Sequence, residues 1–201
     1  MNGAGGPDAA PRQALVLLAD GCEEIEAVTI LDVLHRGGVG VFGAAVGSRE
    51  TVVCAHGTRI KPQFAFAPQD DRFGERRRWG YHYDAIVLPG GMGGTLALRD
   101  NPDVLAELRE ANGRGAIVAA VCAGPMVLDA AGLLAGRRFC CYPGIEKNLS
   151  GAGTFVPGVP TVTDGNLVTG TGPGTAMAFA LAVLRALGGP ADAVADGLLA
   201  P

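Results

Sequence analysis

The sequence predicts an α/β fold in which a doubly wound, mostly parallel sheet carries helices on both faces. Three observations point there. Short uninterrupted apolar runs recur along the chain, as expected of strands buried on both sides of a parallel sheet. Segments of helical character fall between them, the alternation that builds such sheets. Glycines crowd after the apolar runs ending at Leu88 and Val121, at the carboxyl ends of strands, where open α/β sheets form their sites.

The first strand is Ala14 to Ala19. Asp20 and Gly21 turn the chain, Glu23 and Glu24 sit in the electropositive first turn of a helix, and Gly37-Gly38 ends it. Val39 to Val46 follows as the second strand. Thr51 to Lys61 holds two short strand-like pieces around His56-Gly57, and Pro62 to Tyr83, the least regular stretch, reads as a loop insertion. A third buried strand, Ala85 to Leu88, runs into Pro89-Gly90-Gly91-Met92-Gly93-Gly94, and Asp103 to Ala111 has helical character. The fourth strand, Ala116 to Val121, breaks at Cys122-Ala123-Gly124-Pro125 before a helix over Met126 to Leu134. Val162 to Val168, with Asp164-Gly165-Asn166 inside it, reads as a hairpin, and Thr175 to Leu187 as an apolar helix.

At 201 residues the chain has enough material for one well-filled core, so we expect a tail over residues 1–12, rich in Gly, Pro and Ala, and a single domain over 13–201. Apolar residues make up 48% of the sequence and charged residues 18%, which excludes a disordered chain. A net charge of -4 without an extended basic stripe argues against nucleic-acid binding. The one basic run, Arg76 to Arg78, stands beside Asp70, Asp71 and Glu75 and reads as a solvated loop. No stretch approaches the length of apolar sequence that spans a membrane. Five cysteines without CxxC spacing, and no apolar secretory segment at the start, point to reduced thiols in the cytoplasm.

Cys122 is the leading candidate for chemistry. It stands between a buried strand and a helix start, followed by small Ala123 and Gly124, a setting that pushes a side chain out of the sheet and lets a positive helix end favour the thiolate. The alternative is an inert buried thiol, the expected state of Cys22, Cys54, Cys140 and Cys141. Glu26 lies on one helical stripe with Ile30 and Val33. Buried there, it would hold its proton, bond to the Cys122 thiolate and exchange the proton with a substrate; spacing alone fits a half-exposed flank residue equally well. The N–H groups of Gly90, Gly91 and Ala123 are candidate donors to a developing oxyanion. None of the three histidines stands in a recognisable relation to Cys122, so no Cys-His protease pair is visible. No cluster has metal-ligand spacing, and the run Gly90 to Gly94 lacks the lysine of a phosphate-binding loop. No metal and no cofactor are expected.

Four blocks, Ala14 through Glu26, Val87-Leu88-Pro89-Gly90-Gly91, Val121-Cys122-Ala123-Gly124-Pro125 and Thr171-Gly172-Pro173-Gly174-Thr175, resemble the DJ-one/PfpI/ThiJ superfamily, and in particular its parkinsonism-associated deglycase branch. They keep the family's order and spread over nearly the whole chain. The resemblance implies a flavodoxin-like doubly wound fold and a homodimer, with Cys122 at the family's nucleophile elbow and Glu26 as its cysteine-pairing glutamate. It also implies that Gly90, Gly91 and Ala123 supply backbone donors around the thiol, and that Arg36 and the Gly172-Pro173 turn lie near the pocket or the dimer contact. Two positions depart from close relatives: Tyr142-Pro143 stands where a histidine often precedes the proline, and His56 where some carry a pocket arginine.

The function this implies is a cofactor-independent glyoxalase or deglycase that uses Cys122 and Glu26 on small α-oxoaldehydes such as methylglyoxal, or on early glycation adducts. The alternative is a redox-sensing stress protein or chaperone that uses oxidation of the same cysteine. A protease or amidotransferase is disfavoured by the missing histidine, and no thiazole- or phosphate-specific feature supports a role in thiamine synthesis.

Overall fold

The computed structural model describes residues 11–47, 50–66 and 82–200. Eleven strands and six helices run along these residues: β1 (Gln13–Leu18), α1 (Glu24–Arg36), β2 (Gly40–Ala45), β3 (Val52–Val53), β4 (Arg59–Ile60), β5 (Phe64–Ala65), β6 (Ala85–Leu88), α2 (Met92–Arg99), α3 (Pro102–Gly113), β7 (Ile117–Val121), α4 (Pro125–Ala130), β8 (Arg138–Phe139), β9 (Thr154–Phe155), β10 (Thr161–Asp164), β11 (Leu167–Gly170), α5 (Ala176–Ala186) and α6 (Ala191–Leu198).

Seven strands form the main sheet in the order β10-β11-β7-β6-β1-β2-β5. Every pairing is parallel except β10 with β11. The strands β2-β1-β6-β7-β11 therefore follow the flavodoxin-like order, in which the chain first winds one way from β1 and then the other. The apolar runs account for this. Ala14 through Leu18 and Ala85 through Leu88 are fully buried, because helices cover both faces. One face packs Leu15, Leu17, Ile86 and Leu88 with Leu98, Leu108 and Leu128, from α2, α3 and α4. The other packs Val16, Leu18 and Val87 with Ile30, Val33 and Leu34 of α1 and Phe179, Val183 and Leu184 of α5.

Several boundaries differ from the sequence reading for local reasons. The helix expected over Met126 to Leu134 stops at Ala130, where Gly132 takes φ +78°. The stretch read as an insertion opens with an edge strand: Phe64–Ala65 pairs with Ala44 and Ala45, and Gln63 Oε1 accepts from the Gly43 N–H at 2.6 Å. Residues 67–81, with Arg76 to Arg78, lie outside the described residues, as do 1–10. Arg12 belongs to the folded part; it pairs with Asp84 at 2.7 Å, and its carbonyl accepts from the Gly40 N–H. The expected hairpin is β10–β11, turning at Gly165 with φ +56°. Among the described residues no helix is long and apolar enough to cross a membrane.

Candidate active site

Three strand ends build the site. After β1 the chain turns at Gly21, whose φ of +83° needs glycine, and enters α1 with Glu23 in extended backbone. The buried face of α1 is Glu26, Ala27, Ile30, Val33 and Leu34, so the helical period that buries the aliphatic residues carries a carboxylate inward with them. Glu26 is 0% exposed. After β6, Pro89-Gly90-Gly91 crosses behind it. After β7 comes Cys122 at φ 62°, a left-handed conformation that costs a side-chain-bearing residue about 1 to 2 kcal/mol. Such strain persists where the surroundings over-determine it. The Cys122 N–H donates to Gly170 O at 3.0 Å, and Cys122 O accepts from the Tyr142 N–H at 2.9 Å.

Only residues without side chains fit between these loops. A Cβ at Gly90 would lie 2.6 Å from Cys122 Cβ and 2.8 Å from Glu26 Oε2. One at Gly91, where φ is +83°, would lie 2.4 Å from both Glu23 N and Gly21 O. The Glu23 N–H donates to Gly90 O at 2.9 Å, locking the first loop to the second.

The electrostatics follow from burial. The Gly90 N–H donates to Glu26 Oε2 at 2.6 Å, and Glu26 Oε1 is buried with no hydrogen-bond partner. Burial raises the Glu26 carboxyl to about 7, against the lowering effects of the Gly90 N–H and the Cys122 thiol. Burial, and then the charge of Glu26, push the Cys122 thiol up to about 12, while the Gly91 and Ala123 N–H groups pull it down. The expected pull of a positive helix end toward the thiolate is thus opposed by burial and by the Glu26 charge. Helix α4 has six residues and opens on Pro125, which has no N–H, so its field is outweighed by burial and by Glu26. The acid and the thiol are coupled: the thiolate is favoured once the neighbouring carboxyl carries its proton.

The structure thus brings together Cys122, Glu26, Gly90, Gly91 and Ala123. It reassigns one of them, because the Gly90 N–H is committed to Glu26 and is not a free oxyanion donor. Tyr142, half exposed, touches the frame of the site through its backbone N–H, and the Gly172 turn leading into Pro173 sits against it; a Cβ at Gly172 would lie 3.1 Å from Tyr142 Cδ2. Arg36 does not join the cluster. It stands at the far end of α1, ten residues or about 15 Å along the axis from Glu26, paired with Asp32 at 2.7 Å. A helix antiparallel to β1 carries its last turn back to the amino ends of the strands, so Arg36 stands apart from the Cys122 and Glu26 side chains of this chain.

His56 lies one layer out, at the turn between β3 and β4. Its N–H groups bond Glu24, with Nδ1 3.0 Å from Oε2, and Glu23 Oε2 is 3.7 Å away. Backbone N–H bonding and then His56 bring Glu24 down to about 2, and Glu24 raises His56 in turn. The ligand atoms of Glu23, Glu24 and His56 fall within 4.8 Å of one another. Sequence spacing concealed this grouping, because His56 comes from a separate hairpin. A cavity of about 350 Å³ lined by Arg12, His82, Asp84 and Arg114 opens at the amino ends of β1, β6 and β7, away from Cys122, and contains none of the site residues.

A flavodoxin-like sheet presenting a strained cysteine beside a buried carboxylic acid defines a class of α/β proteins with a nucleophile-elbow thiol. The chain belongs to the DJ-1/PfpI family, whose model matches residues 12–186. It is similar to protein dj-1beta of Drosophila melanogaster, 37% identical over 191 residues that cover 94% of this chain and 97% of that one. It is also similar to the glutathione-independent glyoxalase DJR-1.2 of Caenorhabditis elegans, 36% identical over 90% of this chain and 92% of that one. The crystal structure of the Drosophila DJ-1beta protein superposes with a TM-score of 0.86 at 35% identity, covering 96% of this chain and all of the other.

Proposed function

We propose that the protein is a glutathione-independent glyoxalase that converts small α-oxoaldehydes such as methylglyoxal to hydroxy acids such as lactate. The observation that carries this reading is Glu26, a fully buried carboxylic acid with a pKa raised to about 7 and set against the thiol of Cys122. A group poised near neutrality is suited to both giving and taking a proton. The glyoxalase name of the Caenorhabditis relative supports the same reading.

The Cys122 sulfur adds to the aldehyde carbon, and the new alkoxide takes a proton from Glu26, giving a hemithioacetal. The Glu26 carboxylate then removes the C–H proton and returns it at the adjacent carbon through an enediol, leaving a thioester. Water hydrolyses the thioester, releasing the hydroxy acid and restoring the thiol. Overall, one water is added and nothing external is oxidised or reduced. The Gly91 and Ala123 N–H groups, which already face the sulfur, stabilise negative charge on the attacking atom and on the oxygen beside it. Early glycation adducts present the same carbon skeleton to the same groups, so deglycase activity is a second expression of one site.

The test is lactate formation from methylglyoxal without glutathione. Wild type should turn over, while folded Cys122→Ser and Glu26→Gln variants should each lose at least about a hundredfold, the scale of losing a nucleophile or a general acid-base group. An inactive wild type overturns the proposal. The alternative reading, a sensor working by oxidation of Cys122, draws on one observation: Cys122 alone among the five cysteines is not buried. Oxidation of Cys122 to sulfinate in an inactive wild type would favour it.

The proposal includes a cytoplasmic homodimer. Ile25 and Val28, each at least half exposed, lie one turn apart on the outer face of α1 and supply an apolar contact for a second copy. Sedimentation equilibrium should give twice the chain mass for wild type and a lower mass for Ile25→Glu; monomeric wild type overturns this part.

A further inference from the structure

Two cysteines that the proposed chemistry does not use lie against each other. Cys22 Sγ and Cys54 Sγ are 3.7 Å apart, and both are free. They are brought together by backbone pairing of the β1–α1 loop with the β3–β4 hairpin: the Gly21 N–H donates to Val53 O and the Ala55 N–H to Cys22 O, both at 2.8 Å. The two residues are thus held side by side on hydrogen-bonded segments, and an S–S bond requires the sulfurs to close from 3.7 Å to about 2.05 Å.

We propose that Cys22 and Cys54 form a reversible disulfide, installed by a hydroperoxide and removed by a thiol reductant. Cys54 attacks one peroxide oxygen, the O–O bond breaks, and with hydrogen peroxide the other oxygen leaves as water, giving a sulfenic acid on Cys54. The Cys22 sulfur then displaces that hydroxyl as a second water while the S–S bond forms. Two thiols lose two electrons in total, and the peroxide gains them. A small-molecule thiol reverses the bond by exchange.

Access comes from the hairpin. At rest both thiols are buried, and burial raises the pKa of each, so the closed form is unreactive. Cys54, however, sits at the base of a two-stranded sheet with only two residues per strand and an exposed turn at Ala55-His56-Gly57. Strands this short have few ladder hydrogen bonds and open by local fluctuation, even with the base of the hairpin tied to the β1–α1 loop. Opening exposes Cys54 first, and reclosing delivers it to Cys22.

The bond would be felt at the candidate site. Cys22 immediately precedes Glu23, whose N–H holds Gly90 O, and Gly90 in turn holds Glu26. The loop has no slack: Gly94 approaches Cys22 so closely that a Cβ there would lie 2.8 Å from Cys22 N. The disulfide ties the hairpin to the loop that positions Gly90.

The experiment uses the full chain, reduced and then exposed to hydrogen peroxide, quenched in acid, denatured, alkylated and digested without reduction for mass spectrometry. A peptide containing Cys22 joined to one containing Cys54 is expected. It should vanish on treatment with dithiothreitol, persist in Cys122→Ser and be absent from Cys54→Ala. Hydrogen exchange of the amides of residues 53–59 should slow in the oxidised protein. Recovery of Cys22 and Cys54 as alkylated thiols while Cys122 is oxidised overturns the proposal, as does oxidation of Cys54 to sulfinate without a cross-link. The wild-type peptide map decides the matter even if the Cys54→Ala variant fails to fold.

Discussion

Replacing Glu26 by Gln tests the electrostatics of the site without reference to any substrate. Glu26 is fully buried, and its carboxyl rises from 4.5 to about 7 on folding. Because the folded protein holds this proton more tightly than the unfolded chain, the associated stability is fully present below pH 4.5 and is lost as pH rises toward 7. The interval corresponds to about 3 kcal/mol, since each pH unit is worth about 1.4 kcal/mol. Glutamine keeps an oxygen to accept from the Gly90 N–H and has no proton to lose. The difference in unfolding free energy between wild type and Glu26→Gln should therefore be flat below pH 4.5. It should shift in favour of the variant by about 1.4 kcal/mol per unit up to pH 7, and flatten above. Urea titrations of both proteins from pH 4 to 8 measure it, and subtraction removes groups common to both, including Glu24 and His56. Parallel pH profiles for the two proteins would refute the claim that burial dominates the Glu26 environment.

Gly91→Ala should lose at least about 2 kcal/mol, combining left-handed strain with a clash against backbone atoms that cannot rotate away. Gly113→Ala, where an added Cβ meets nothing within 4 Å, is the matched control and should change urea stability by less than about 1 kcal/mol. Asn101→Ala removes the acceptor for the Asp103 and Val104 N–H groups at the start of α3 and should cost about 1 kcal/mol, read as a lower thermal midpoint with the secondary structure intact.

The parallel strands and the larger helices were legible because their apolar runs are long enough to carry a period. Ala14 through Leu18 could not be mistaken for a solvent-facing segment, whereas the stripe that Glu26 shares with Ile30 and Val33 fitted an inward and a half-exposed position equally, and the structure places it inward at 0% exposure. Helix α2 was hidden for the opposite reason. It opens on Met92-Gly93-Gly94, whose two glycines argue against a helix, and it forms because only glycine lets it lie on Gly21 and Cys22. Helix α6 follows Pro190 and is short, and the edge strand at Phe64 is two residues long, below any useful window. The Cys22–Cys54 and Glu24–His56 contacts each join residues 32 positions apart, a distance at which a single sequence carries no pairing signal. The commitment of the Gly90 N–H to Glu26 is a matter of which way one amide points, which residue identity does not encode.

The peptide units on either side of Cys122 are both tied to neighbouring chain, one to Gly170 and the other to Tyr142. A thiol mounted this way cannot swing to meet a reactant. The reactant must be brought to it, and the dipoles around the sulfur are already aligned before charge develops. The reorganisation that water would undergo at that moment has been completed during folding, with the left-handed turn at Cys122 as its permanent record. Substitutions that slacken either anchor should accordingly leave the protein folded and its thiol present, while slowing the turnover proposed for the site.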